Sequence, residues 1–121
     1  MKKFLPLILL PLLLSACKKA DTLAPAITLI APSDNQVLTA GKSYTVRAQI
    51  SDNSSIHMVH VMVMDEVSFE HLVLFEEHID SKHYDLNKSF TPVSGHGYFI
   101  HIEAEDHDEN SSSKDLIVTT N

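Results

Sequence analysis

The sequence predicts an all-β protein, a seven-stranded antiparallel β-sandwich. From Val59 to Val63 a valine stands at every second position, which is typical of a strand that buries one face. Short runs of similar character recur along the chain, separated by turn-forming residues such as those of segment 32–35 (PSDN). None of these runs has the convincing period of an amphipathic helix, so the regular spacing of short strands indicates a sandwich.

Seven runs of residues have strand character. One of them, residues 69–78, would also suit a helix beginning at Ser68, but its length and its neighbours favour a strand. In the run 57–64 the valines are predicted to face the core, which places Val61 between the two sheets beside Ile50 and Ile102. The seven predicted strands are residues 26–31, 43–50, 57–64, 69–78, 83–90, 98–104 and 115–120.

Residues 1–16 have the features of a bacterial lipoprotein signal peptide. Lys2 and Lys3 precede an apolar run, residues 4–14, that is too short to span a bilayer as a helix. The LSAC sequence at residues 14–17 then resembles a lipobox, a small-residue cleavage site directly before the only cysteine. The resemblance implies cleavage before Cys17, lipidation of its thiol and acylation of the new amino terminus. Incorporation of labelled palmitate would detect the lipid. The alternative is an ordinary signal peptide followed by a chance cysteine.

A short tether is predicted after the lipidation site, at residues 17–25, and one folded domain at residues 26–121. The tether is polar, lacks periodicity and ends in proline, and eight extended residues reach at most about 25–30 Å. Lys18 is not the aspartate that holds enterobacterial lipoproteins at the inner membrane. We therefore expect a lipid-anchored protein of the bacterial cell envelope, at the cell outer membrane.

The charge balance argues against several partners. The whole chain has 9 Lys and Arg, and loss of Lys2 and Lys3 with the signal peptide leaves 7 against 16 Asp and Glu, a net charge of −9 with His neutral. That charge disfavours nucleic acid and anionic lipid headgroups. Contact with the membrane is therefore expected through the N-terminal acyl chains.

Three stretches carry a resemblance to known domains: P-x-I-x-L-x-x-P at residues 25–32, A-x-I-x-D-N-x-x-I-x-x-V at 48–59, and Y-x-I-x-I-x-A-x-D at 98–106. Together they resemble the immunoglobulin-like or fibronectin-type-III-like domains of bacterial surface proteins. The chain is similar in particular to small Bacteroidota lipoproteins of unknown function with one such domain. The resemblance covers residues 25–120 and implies an immunoglobulin-like sandwich. Glu109 departs from the pattern, which usually has glycine before the asparagine of the last loop.

Acidic residues follow two of the predicted strands. Asp52 follows the second strand, while Asp106, Asp108 and Asn110 follow the sixth, and in an immunoglobulin-like sandwich these two loops lie at the same end. Calcium takes six to eight oxygen ligands, and the D-x-D-x-N spacing matches the first three ligands of a calcium loop. These four residues are therefore a candidate calcium site.

The match to a calcium loop is incomplete. Ser111 stands where that loop needs glycine, and Ile117 stands where it needs the bidentate glutamate. The simpler interpretation is that Asp52 and Asp106 cap tight turns by accepting hydrogen bonds from their own backbone.

Histidine and methionine side chains share the outer face of the third predicted strand. If the valines face the core, His60 points outward among Met58, Met62 and Met64, and the neighbouring sixth strand turns His101 outward beside it. Imidazole with thioether suits copper and imidazole with carboxylate suits zinc, so His60 and His101 are a candidate copper or zinc pair. The alternative is a solvated sheet surface or a patch covered by a partner. The other six histidines have no spacing that predicts convergence.

No catalytic arrangement is visible. The serines occupy no nucleophile elbow, and there is no glycine-rich phosphate loop. We therefore predict a protein that is not an enzyme and acts as a binding or structural module for an envelope protein or a glycan. The alternative function is a metal-binding envelope lipoprotein that takes calcium, copper or zinc.

Overall fold

A computed structural model describes residues 20–121, so the predicted signal peptide and Cys17 lie outside the described residues. The described chain forms six strands: β1 (Ala26–Ala31), β2 (Val37–Leu38), β3 (Tyr44–Asp65), β4 (His71–Phe90), β5 (Gly97–Asp106) and β6 (Ser111–Thr120). Within residues 20–121 we find no helix with the length and apolar character needed to cross a membrane.

Strand β3 organises the sheet. Its first half pairs antiparallel with β1 and its second half with β5, while β4 follows it antiparallel on the opposite edge for almost its whole length. Strand β6 pairs antiparallel with β5, and the two-residue β2 closes the order β1-β3-β5-β6-β2 by pairing parallel with β6. Because β3 and β4 contribute to both layers, one hairpin connects the two halves of the sandwich around a single core.

The predicted fold class is confirmed, but the strand count differs. Every predicted strand overlaps an observed one, but 43–50 (from residue 44) and 57–64 are both part of β3, and 69–78 (from residue 71) is continuous with 83–90 in β4. The strands continue through the intervening residues because β3 and β4 pair on both sides of register shifts, which lie between Ser51 and Ile56 and between Ile56 and Met58. These β-bulges bend the hairpin from one layer into the other without ending the strands.

The predicted phase of the central strand is confirmed. Val59, Val61 and Val63 are fully buried, and Val61 lies opposite Ile102 in β5. Ile50 belongs to the same core, and the methionines between the valines are partly exposed. Full burial of such a side chain stabilises the fold by about 1.5–3 kcal/mol, which explains why a period of two specified this strand.

The last turn explains a departure from the family pattern. Glu109 lies between β5 and β6 with φ of 65°, in the left-handed region. Side chains crowd the following carbonyl in this conformation, and glycine does not. The glycine that similar domains carry before Asn110 therefore meets a backbone requirement that Glu109 meets under strain.

Candidate functional site

Three carboxylates converge near the point where β3 bends and β5 ends. Asp21, Asp52 and Asp106 each offer one oxygen, and these oxygens lie within 4.8 Å of one another. We call these residues the acidic cluster. Asp52 and Asp106 are buried. The structure thus brings together two of the residues expected to converge and adds Asp21, which the sequence placed in the tether.

Both buried carboxylates cap their own turns. Asp106 Oδ1 accepts hydrogen bonds from the backbone N–H groups of Asp108 (2.8 Å) and Asn110 (2.9 Å), and its Oδ2 accepts one from Asn110 Nδ2 at 2.8 Å. Asp52 Oδ2 accepts from the backbone N–H and the hydroxyl of Ser54 at 3.0 and 2.9 Å. Asp108 itself is exposed and contributes only its backbone amide to these bonds.

One oxygen of the acidic cluster has no partner. Asp52 Oδ1 is buried, and no donor of the described chain reaches it. Hydrogen bonds, chiefly from the Leu23 backbone and then from the Asn53 side chain, hold the pKa of Asp21 below its usual value. Within residues 20–121 every ion pair involves a histidine, so no Lys or Arg offsets the acidic cluster.

The segment before β1 contacts the domain. The backbone carbonyl of Asp21 accepts a hydrogen bond from Asn110 Nδ2 at 2.8 Å, and the carbonyl of Pro25 accepts one from the hydroxyl of Ser112. Asn53 and Ser54 donate to the Asp21 carboxylate at 3.1 Å each. The contacts of the folded unit therefore begin at Asp21, five residues before the start of β1.

The predicted histidine pair lies on adjacent strands but does not form a ligand set. The ring centroids of His60 and His101 are 6.1 Å apart. His101 Nδ1 donates to Asp115 Oδ1 at 2.5 Å, and its Nε2 lies 3.5 Å from Glu103 Oε2. His60 instead borders a shallow cavity of about 150 Å³, which is lined by Met58, His60, Glu76, Glu103 and Glu105. Among the described residues, neither histidine belongs to a group of three converging ligand atoms.

Different histidines converge instead. His57, Asp80 and His107 each offer one ligand atom, and these atoms lie within 4.8 Å of one another. The ring of His57 also lies 4.8 Å from that of His78 and 4.5 Å from that of His107, centroid to centroid. We call these four residues the histidine cluster. The expectation that only His60 and His101 would pair was therefore wrong, because the bulges that bring His57 to its neighbours leave no periodic signal in the sequence.

A histidine–carboxylate pair occupies the other end of β5. Asp65 is buried, and its Oδ2 lies 2.6 Å from His96 Nδ1. Burial alone would raise the pKa of Asp65. The hydrogen bonds from His96 and from the backbone of Ser68 and Val67 outweigh that effect and lower the pKa from 3.8 to about 2.

The geometry defines an immunoglobulin-like β-sandwich, and comparison with known proteins identifies its family. The Bacterial Ig domain family matches residues 25–94, more than half of the sequence, so the chain belongs to that family. The solved "Structures of Clostridium thermocellum CbhA fibronectin(III)-like modules" are similar to it, with a TM-score of 0.53 at 19% sequence identity. That similarity covers 80% of this chain and 46% of the other, and it supports the fold alone. The comparison with curated proteins found no match.

Membership of the family supports the coarser functional expectations. Immunoglobulin-like and fibronectin-type-III-like domains are typically non-catalytic structural or binding modules. A bacterial Ig domain also indicates an extracellular or envelope-associated protein.

Proposed function

We propose that this protein is a lipoprotein of the bacterial cell envelope, anchored through Cys17, whose immunoglobulin-like domain acts as a non-catalytic binding or structural module at the outer membrane. The observation that carries the proposal is the LSAC lipobox at residues 14–17, which precedes a domain of a bacterial Ig family within a few residues. Its partner is then an envelope protein or a glycan.

Two further observations support an anchor close to the domain. Asp21 is already held against the domain by Asn53, Ser54 and Asn110, so few residues separate Cys17 from the folded unit. The net charge of −9 after signal-peptide removal repels anionic headgroups. Attachment therefore depends on the acyl chains, and two or more chains are needed for stable anchoring.

The anchor is tested by Cys17→Ser, with Lys18→Ala as the matched control at the next position. Cells are labelled with palmitate, and the membranes are separated on a density gradient. We expect Cys17→Ser to abolish both the label and membrane fractionation, whereas Lys18→Ala keeps both and stays in the outer-membrane fraction. A Cys17→Ser protein that still fractionates with membranes would refute the lipid anchor.

A second candidate function, calcium binding, is favoured by the unpartnered oxygen of Asp52. The acidic cluster brings three carboxylates together, no Lys or Arg of residues 20–121 forms an ion pair with them, and like charges at this distance repel one another. Calcium binds carboxylate oxygens and would offset that repulsion. On this proposal Asp21, Asp52 and Asp106 are ligands, while Asp108 and Asn110 mainly shape the turn.

Asp52→Asn tests this second candidate because the amide oxygen can keep the turn hydrogen bond to Ser54 while the charge is lost. We expect calcium to raise the melting temperature of the wild type, with the dependence on calcium concentration that mass action predicts. The melting temperature of Asp52→Asn should not change with calcium. Asp85→Asn, an exposed change elsewhere on the sheet, is the control and should respond like the wild type. A wild type that shows no calcium-dependent shift would leave turn capping as the whole role of these acids.

A further inference from the structure

The histidine cluster exists because two register shifts meet at one residue. Ile56 pairs with Asp106 of β5 and Met58 pairs with Glu105, so His57 is an extra residue with no partner on β5. On the other edge, Ile56 pairs with Ser81 and Met58 pairs with His78, which leaves two residues of β4 opposite His57. A bulge of this kind re-aims a side chain, and here it turns His57 toward neighbours on both sides.

The two neighbouring strands supply the other donors at this position. On β4 the extra residues include Asp80, which adopts φ of 49°. Beyond β5, His107 follows Asp106 directly and its Nε2 lies 2.9 Å from Asp80 Oδ1. His78 completes the arrangement from β4, with its ring edge-on to that of His57.

The donors match the preferences of zinc. Zinc binds imidazole nitrogen and carboxylate oxygen at about 2.0–2.2 Å, and a tetrahedral site separates its ligand atoms by about 3.4 Å. The ligand atoms of His57, Asp80 and His107 lie within 4.8 Å of one another, so small side-chain rotations close the set. The side chains of His107 and Asp80 are 49% and 69% exposed, which leaves them free to make those rotations and gives an ion a path in.

An independent observation points to a missing partner. His57 Nδ1 is buried, and no hydrogen-bonding group of the described chain reaches it. Most buried polar atoms in proteins have a partner, so this nitrogen requires an explanation. An ion coordinated through this nitrogen would supply the partner.

We propose that His57, Asp80 and His107 bind one zinc-class divalent cation at the bulge between β3 and β4, and that the exposed His78, which lies outside this convergent group but beside the ring of His57, rotates in as the fourth ligand. Three neutral imidazoles and one carboxylate form a borderline donor set, which favours zinc and copper over calcium. This site is separate from the lipid anchor and from the acidic cluster, so it does not depend on either proposed function.

Calorimetric titration of Zn²⁺ into the purified protein, prepared without a polyhistidine tag and freed of metal with a chelator, tests the site. We expect one ion per chain. His57→Ala and His107→Ala should each abolish that binding event. Asp80→Asn should lower the affinity for Zn²⁺ by at least about 10–100-fold, which is the usual cost of losing a residue that only hydrogen-bonds a metal ligand. Asn tolerates the left-handed backbone at this position, so this variant is expected to fold.

His60→Ala and His101→Ala are the matched controls, since they remove imidazoles from the same face of the sheet outside the cluster. Both should bind Zn²⁺ like the wild type, and every variant should show the metal-free circular dichroism spectrum of the wild type. In the wild type, Zn²⁺ should shift the imidazole resonances of His57, His78 and His107 before those of the other histidines. Unchanged affinity in His57→Ala and His107→Ala, or several weak ions spread over all eight histidines, would overturn the proposal.

Discussion

The acidic cluster and the histidine cluster lie side by side. Asp106 belongs to the acidic cluster, and the next residue, His107, belongs to the histidine cluster. Asp106 is fully buried and accepts three hydrogen bonds from its own turn. His107 is half exposed, and its imidazole contacts His57 and Asp80, which are distant in sequence. One cluster is therefore built mainly by local turns and the other by the pairing of three strands.

This contrast coincides with the end of a strand. Asp106 is the last residue of β5 and its carboxylate is buried, whereas His107 is the first residue of the following turn and its imidazole is half exposed. The interior site offers hard carboxylate oxygens, most of which already accept hydrogen bonds. The surface site has nitrogen donors, of which one buried atom lacks a partner.

The largest expected effect comes from the register of β3, on which both clusters depend. Val61→Asp places an unpaired carboxylate in the core beside Ile102 and should prevent folding, because its desolvation rivals the total stability of about 5–15 kcal/mol. Met62→Asp, the matched control on the partly exposed face, should fold. Circular dichroism and urea denaturation decide between them, and the reverse sensitivities would mean that the strand is slipped by one residue.

A second pair of variants compares the two clusters directly. Asp106→Ala leaves the amides of Asp108 and Asn110 without their acceptor and should lower the free energy of unfolding by about 2–4 kcal/mol. His107→Ala removes a surface side chain and should change it by no more than about 0.5 kcal/mol in metal-free buffer. Urea denaturation at neutral pH measures both. Equal losses would show that the histidine cluster is as structural as the acidic one.

The third prediction uses the pair at the other end of β5, which combines a buried carboxylate with a histidine. The pKa of Asp65 is lowered from 3.8 to about 2, so the folded state keeps this carboxylate ionised where the unfolded chain protonates it. Its stabilisation is complete above about pH 4 and is lost as the pH falls through 2.

Asp65→Asn should therefore flatten the decline of stability between those pH values, as measured by urea denaturation at a series of acidic pH values. The exposed variant Asp85→Asn is the control and should keep the wild-type slope. An unchanged slope in Asp65→Asn would show that other carboxylates govern the acid unfolding.

The smallest effect concerns two of the left-handed residues, Glu109 in the turn after the acidic cluster and Asp80 within the histidine cluster. Glu109→Gly relieves the turn after β5 and should stabilise the protein by about 0.5–1 kcal/mol, the net of relieved strain and the added freedom of the unfolded chain. Asp80→Gly should gain less, because aspartate tolerates this conformation and its carboxylate contacts His107. Melting temperatures rank the two, and destabilisation by Glu109→Gly would show that its side chain has a role of its own.

Much of the fold could be predicted from the sequence because it depends on local patterns. The alternation around Val61 predicted which face of β3 is buried, and all seven predicted runs overlap observed strands, five of them completely. The two turn acids Asp52 and Asp106 were also found, since aspartate caps a turn through its own backbone. The anchor proposed at Cys17 rests on the sequence alone, because the lipobox is a motif and needs no fold.

Only the tertiary structure decided which side chains meet. Because β3 and β4 pair on both sides of the bulges, four predicted strands are parts of two observed ones. The bulge at His57 places its side chain beside Asp80 and His107. Asp21 joined the acidic cluster through contacts with residues more than 30 positions away. The physical reason is that a bulge or a docked segment is selected by pairing across strands, and the residues that take part need no regular spacing along the chain.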